Sequence, residues 1–136
     1  KISIDTIPYI LSDTIRAFGV RVEFEAESRG STPFGEEFIS LFIKKDKTLN
    51  TILQHYRVNK YHGERTNDCS GWYNSESSTI MVGNTFTSGF KDLNVVIKHK
   101  IFEDFIDSSG ECEQKVSERK ERSVLKFNLE KYIIPK

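Results

Sequence analysis

Apolar and polar residues alternate along 18–26, where Phe18, Val20, Val22, Phe24 and Ala26 interleave with Gly19, Arg21, Glu23 and Glu25. Period two predicts a strand with one buried and one solvated face. Residues 38–44 repeat the pattern, with Ile39, Leu41 and Ile43 on one side and Phe38, Ser40, Phe42 and Lys44 on the other. The period then changes. Leu49, Ile52, Leu53 and Tyr56 fall at i, i+3, i+4 and i+7, which predicts an amphipathic helix over 48–58 with Asp46 or Thr48 as its cap. After Pro8, the residues Ile10, Leu11, Thr14, Ile15 and Phe18 keep helical spacing too, so a shorter helix competes with the first strand for Phe18.

Further along, Thr79–Val82 reads as a strand ending in a turn at Gly83-Asn84, and 93–102 reads as another strand. Residues 27–37 and 59–77 are rich in Gly, Ser, Asn and Pro and read as loops, the second interrupted by Trp72 and Tyr73. The mixed-charge run 113–123 reads as a solvated helix or loop. Alternation of Leu125, Phe127 and Leu129 with Lys126, Asn128 and Glu130 predicts a closing strand.

The order of these elements resembles the ubiquitin-like family. TIMVGNTF (79–86) is similar to that family's third strand and glycine turn, GFKDLNVVI (89–97) to its tight turn and last strand, and KKDKTL to its charged helix start. The likeness covers about 18–102 and implies an α+β domain of β-grasp type. A mixed sheet would be crossed by one main helix and elaborated by N- and C-terminal segments, the latter over 103–136. The connection 59–77 is longer than the family's, and no terminal Gly-Gly is present. The resemblance therefore implies a fixed, SUMO-like, non-conjugating domain.

Composition narrows the function. A chain of 136 residues is read as a single domain, and its 20 basic residues balance 20 acidic ones. A dedicated nucleic-acid binder would show a net basic field, so no nucleic-acid partner is expected. No apolar run approaches the length needed to cross a bilayer, so no membrane insertion is expected either. The start at Lys1 reads as that of an excised fragment. Cys69 and Cys112 lack CxxC spacing and read as two free thiols in a reducing compartment, with a disulfide as the alternative. The expected location is intracellular, in cytoplasm or nucleus.

Candidate chemistry is sparse. His55, His62 and Cys69 have loose spacing for zinc, and no metal or cofactor is expected. A pair between Cys69 or Cys112 and His99 lacks a nucleophile motif, while Glu103, Asp104 and Asp107 read as a solvated strand end. Interaction candidates are more specific. Phe38 and Phe42 would point outward together, forming an apolar patch unless the N-terminal segment or strand 124–130 covers them. Ile80 stands where the resemblance places the centre of a recognition patch, with ordinary burial as the other reading, and Lys98 is its neighbour in one register.

The expected function is non-catalytic protein–protein interaction within a larger intracellular protein, with Ile80, Lys98, Phe38, Phe42 and Lys44 as partner-binding candidates. Its modes would be docking of an apolar side chain or an added strand beside 38–44. A Ras-association-like domain with Arg21, Lys44 and Lys45 as a basic edge is one alternative, and a small cysteine/histidine enzyme is the other.

Overall fold

A computed structural model describes residues 1–26 and 31–136, so the start of the expected loop 27–37 lies outside the described residues. Among the described residues there are eight strands and no helix: β1 (Ile2–Ile10), β2 (Arg16–Glu25), β3 (Phe34–Lys45), β4 (Thr48–Glu64), β5 (Trp72–Thr87), β6 (Phe90–Ile106), β7 (Cys112–Phe127) and β8 (Tyr132–Ile133). Each pairs antiparallel with its successor in chain order. The expected α+β architecture is corrected to all-β, and the ubiquitin-like resemblance falls with it. A β-grasp needs a helix packed on a mixed sheet, and this sheet is wholly antiparallel.

The helix predicted over 48–58 is the first two-thirds of β4. Its helical spacing has a strand explanation. Against β3, Leu53 pairs with Leu41 while Thr51 pairs with Phe42, Tyr56 pairs with Ile39, and Asn59 pairs with Glu37 while Arg57 pairs with Phe38. Each step inserts an extra residue into β4, so three bulges stretch the inward repeat from two residues to three. His55 adopts a left-handed φ of 47° and donates its amide to Ser40 Oγ at 3.1 Å. Leu53 and Tyr56 therefore share a face of a strand at a spacing that imitates a helix.

Other expectations change for local reasons. The N-terminal helix is replaced by the end of β1, a turn in which Ser12 Oγ accepts the amides of Thr14 and Ile15, and the start of β2. Gly83-Asn84 lies within β5 at an irregularity, where a Cβ on Gly83 would meet Asn94 Nδ2 at 2.8 Å. The chain reverses instead at Ser88-Gly89, both with positive φ (52° and 88°), the conformation a two-residue hairpin needs. Segment 59–77 contributes to both β4 and β5, and the charged run 113–123 is strand β7.

The meander parts between β4 and β5. These strands pair only through Asn59–Glu64 and Trp72–Ser77. Beyond that, the first half of β4 stays with β3 and the second half of β5 with β6. A front leaf (β1, β2, β3 and the start of β4) thus separates from a back leaf (the end of β5, β6, β7 and β8). Ala17, Ile39, Leu41, Leu53 and Tyr56 of the front leaf and Ile80, Leu93, Val95 and Leu125 of the back leaf fill one core. Ile39 shares a face with Gly35, whose partner Tyr61 pairs with Ser75, whereas Ile80 sits on the other face of β5. The two leaves hence bury opposite faces of their parent sheet: one slides over the other, bringing β1 to β5 and β4 to β8.

The far end is closed by Lys91, whose amide donates to Leu11 O at 2.8 Å and whose carbonyl accepts Tyr132 OH at 2.6 Å. Phe90 stacks on Phe127 with ring centroids 4.3 Å apart. At the opposite end Cys69 and Cys112 are joined as a disulfide, correcting the free-thiol reading; the bridge ties the β4–β5 loop to the start of β7.

Leu41→Ala and Ile52→Ala, both in fully buried positions, should each lower unfolding free energy by about 2–5 kcal/mol in denaturant titration. An unchanged midpoint would remove either residue from the core. Replacing both cysteines by Ser opens a cross-link between residues 43 apart and should cost about 2–4 kcal/mol. Peptide mapping without reductant should recover a linked Cys69–Cys112 pair.

Candidate functional site

Strand β2 is turned the opposite way from what its alternation predicts. Ala17 and Gly19 face the core, while Phe18, Val20, Val22 and Phe24 face outward. Gly19 meets a packing limit here, since a Cβ would come 2.9 Å from Asp5 Cβ on the neighbouring strand. On the outward face Val22 pairs with Phe38 and Phe18 with Phe42, and Ile2 and Ile4 of β1 lie beside Val22 and Val20. The rings of Phe18 and Phe42 stack at 5.6 Å, and Phe24 meets Phe38 edge-on at 6.3 Å. Eight apolar side chains from three strands form one surface, interrupted only by Ser40 and bordered by Lys44 and Glu36. Phe24 is 57% exposed, Ile2 75% and Ile4 72%.

The five interaction candidates are dispersed by the tertiary structure. Phe38 and Phe42 are half-buried within this outer face; the N-terminal segment lies edge-on to β2 as β1, and residues 124–127 pair with β6 and β8. Lys44 is exposed at its margin. Ile80 is 6% exposed and lies in the core between the leaves. Lys98 is on the outer face of the back leaf, on the other side of the molecule from Phe38, with Nζ 3.8 Å from Glu118. Strand 38–44 is flanked by β2 and β4 and has no free edge for an added strand.

Arg21 does not align with Lys44 and Lys45. It belongs to a buried polar cluster where β1 loses register. Asp5 Oδ2 accepts from Tyr9 OH at 2.9 Å and from Arg21 Nε at 3.0 Å, Oδ1 accepts the Ile7 amide at 3.0 Å, and Arg21 Nη1 reaches Glu37 at 3.2 Å. Burial alone would raise the Asp5 pKa, but the Ile7, Tyr9 and Arg21 donors outweigh it and hold the carboxyl below its ordinary range. Burial, then the Asp5 charge, pushes the Tyr9 hydroxyl pKa well up. A second carboxylate, Asp92, serves the β5 irregularity: it accepts from Thr85 Oγ1 at 2.5 Å and Thr87 Oγ1 at 2.7 Å, and these bonds with Lys126 overcome burial to lower its pKa. Both clusters are internally satisfied and stabilise strand irregularities.

Across β4–β7 a groove of about 430 Å³ is lined by Arg57, Lys60, His62, Glu76, His99 and Arg119 among others. Its charges cancel locally. Arg57 lies 3.6 Å from Glu36 and 3.4 Å from Glu76, and Lys60 is 3.9 Å from Glu36. His99 spans Glu121 at 2.6 Å and Glu76 at 3.5 Å. His62 stands edge-on to Trp72 at 5.3 Å, and its Nδ1 is buried without a partner among the described residues. Cys69 and Cys112 are oxidised to one another and hold no thiolate for His99 to activate. Asp107 caps a turn, accepting from the amides of Ser109 and Glu111 at 2.9 Å each, and Asp104 accepts from Gln114 at 3.3 Å.

No protein-family model matches this chain, nor does any curated protein or any solved structure. No helix long and apolar enough to cross a membrane occurs among the described residues.

The lowered pKa of Asp5 fixes the sign of a pH effect. Its contribution is complete above the unfolded carboxylate value of about 3.9 and is lost as pH falls from there through the lower folded value. Asp5→Asn should therefore be less stable than the parent at neutral pH and show a shallower acid limb in thermal melts from pH 7 to about 2. Parallel curves for the two proteins would remove Asp5 from the acid response.

Proposed function

We propose that this chain is a non-catalytic protein-interaction module that docks a partner protein on the outer face of β1, β2 and β3. The observation that carries the reading is the outward turn of Phe18, Val20, Val22 and Phe24, laid against Phe38 and Phe42. A solvated sheet face normally carries polar residues at these positions. Aromatic anchors amid aliphatic residues, with a charged margin, supply the desolvation and ring contacts that concentrate binding energy at protein interfaces. The polar clusters elsewhere favour this reading over catalysis, because Asp5, Asp92, Arg21, Arg57 and Lys60 are already used by structural neighbours.

A compartment belongs to the same proposal. Disulfides persist where thiols are kept oxidised, so the Cys69–Cys112 bridge favours an oxidising environment over the reducing cytosol.

Two photo-cross-linking positions test the reading. A benzophenone side chain at position 24 should capture a specific protein from the native source, and one at position 98, on the opposite side, should not. Phe38→Asp, judged folded by circular dichroism, should abolish capture at position 24. Equal capture from both positions, or capture that survives Phe38→Asp, would move the docking surface off this face.

A further inference from the structure

Among the strand edges that the meander leaves open, those of β1 and β7 are built differently. Over Cys112–Arg122, β7 carries Glu113, Lys115, Glu118, Arg119, Lys120, Glu121 and Arg122, the charged pattern that blocks strand addition. Over Ile2–Ile10, β1 has Asp5 as its sole charged residue, and that carboxylate points inward. The hydrogen-bond phase identifies which backbone groups are open. Lys1 and Glu23 exchange bonds at 2.9 Å in both directions, so along this ladder Ser3 and Asp5 bond to β2 while Ile2 and Ile4 direct their N–H and C=O away from the sheet.

We propose that this edge pairs with β1 of a second copy, antiparallel about a two-fold axis through Ile4. That register matches Ile4 with Ile4, Ile2 with Thr6 and Ser3 with Asp5 of the partner copy. It opposes no like charges, and a chain with 20 basic and 20 acidic residues sets up no net repulsion between copies. The contact is isologous and closes at two copies, because each copy uses its one β1 edge. Register loss between Asp5 and Tyr9, together with Pro8, limits the ladder to the first five or six residues and keeps the pairing short. The inference concerns the backbone edge rather than the apolar face, so it stands or falls separately from the docking reading.

Sedimentation velocity from micromolar to millimolar concentration tests it on the whole chain. The mass should rise toward twice 15.7 kDa with concentration. Ile4 is exposed, so Ile4→Lys and Ile4→Glu should fold normally, yet each places like charges face to face and should weaken self-association by about tenfold. Mixing the two variants should restore a heterodimer, since residue 4 is its own partner only in this register. Phe24→Asp, on the face, should dimerise like the parent. A parent that stays monomeric throughout, a mixture that fails to associate, or dimerisation that is lost in Phe24→Asp but kept in Ile4→Lys would each overturn the proposal. The last result would make the apolar face the contact between copies.

Discussion

Everything in this protein follows from the parting of one sheet between β4 and β5. An antiparallel meander without helices has nothing to pack against except itself, and a single layer cannot bury enough apolar surface to offset the entropy of ordering the chain. Sliding the front leaf over the back leaf supplies the second layer. Ile39, Leu41 and Leu53 then meet Leu93, Val95 and Leu125 in one core. The three bulges of β4 make this possible, because they bend that strand away from β5 and bring Leu53 and Tyr56 to the same side.

The polar residues mostly serve the same geometry. Asp5 and Asp92 sit where β1 and β5 lose register, and each gathers donors that a regular ladder would have used elsewhere. The cross-strand ion pairs of Arg57 and Lys60 and the contacts of His99 with Glu76 and Glu121 lie at the shared end of the sheet, which the disulfide closes. What remains without such a role is the outer face of the front leaf. A two-layer stack leaves that face uncovered, and its side chains are apolar. This contrast between the paired charges of those clusters and the uncovered aromatics is the physical basis for reading the protein as a binding module.

The strands at 18–26, 38–44, 79–82 and 93–102 were legible because alternation of side-chain direction is a local property of extended backbone. Ile39, Leu41 and Ile43 were recognisable as core, and Phe38 and Phe42 as outward, from β3 alone. The helix at 48–58 was misread for a definite reason: bulges convert period two into spacings of three, and no single-strand pattern separates that from a helical turn. The charged strand β7 was illegible because its residues face solvent and pair through backbone groups that every residue type carries.

By itself, then, the sequence determined that 18–26, 38–44, 79–82 and 93–102 are extended, which positions of β3 prefer burial and that the formal charges balance. Only the tertiary structure decided the handling of β2. Its apolar set looks ready for a core, yet the register to β1 and β3 sends Ala17, Gly19 and Arg21 inward. Which face of a strand is buried depends on where a second layer lies, and here that layer is the chain's own back leaf, more than fifty residues away in sequence. The pairing of Cys69 with Cys112 and the burial of Ile80 are decisions of the same kind. The first depends on the β4–β5 loop reaching the start of β7 and the second on where the front leaf lies, and no local spacing encodes either.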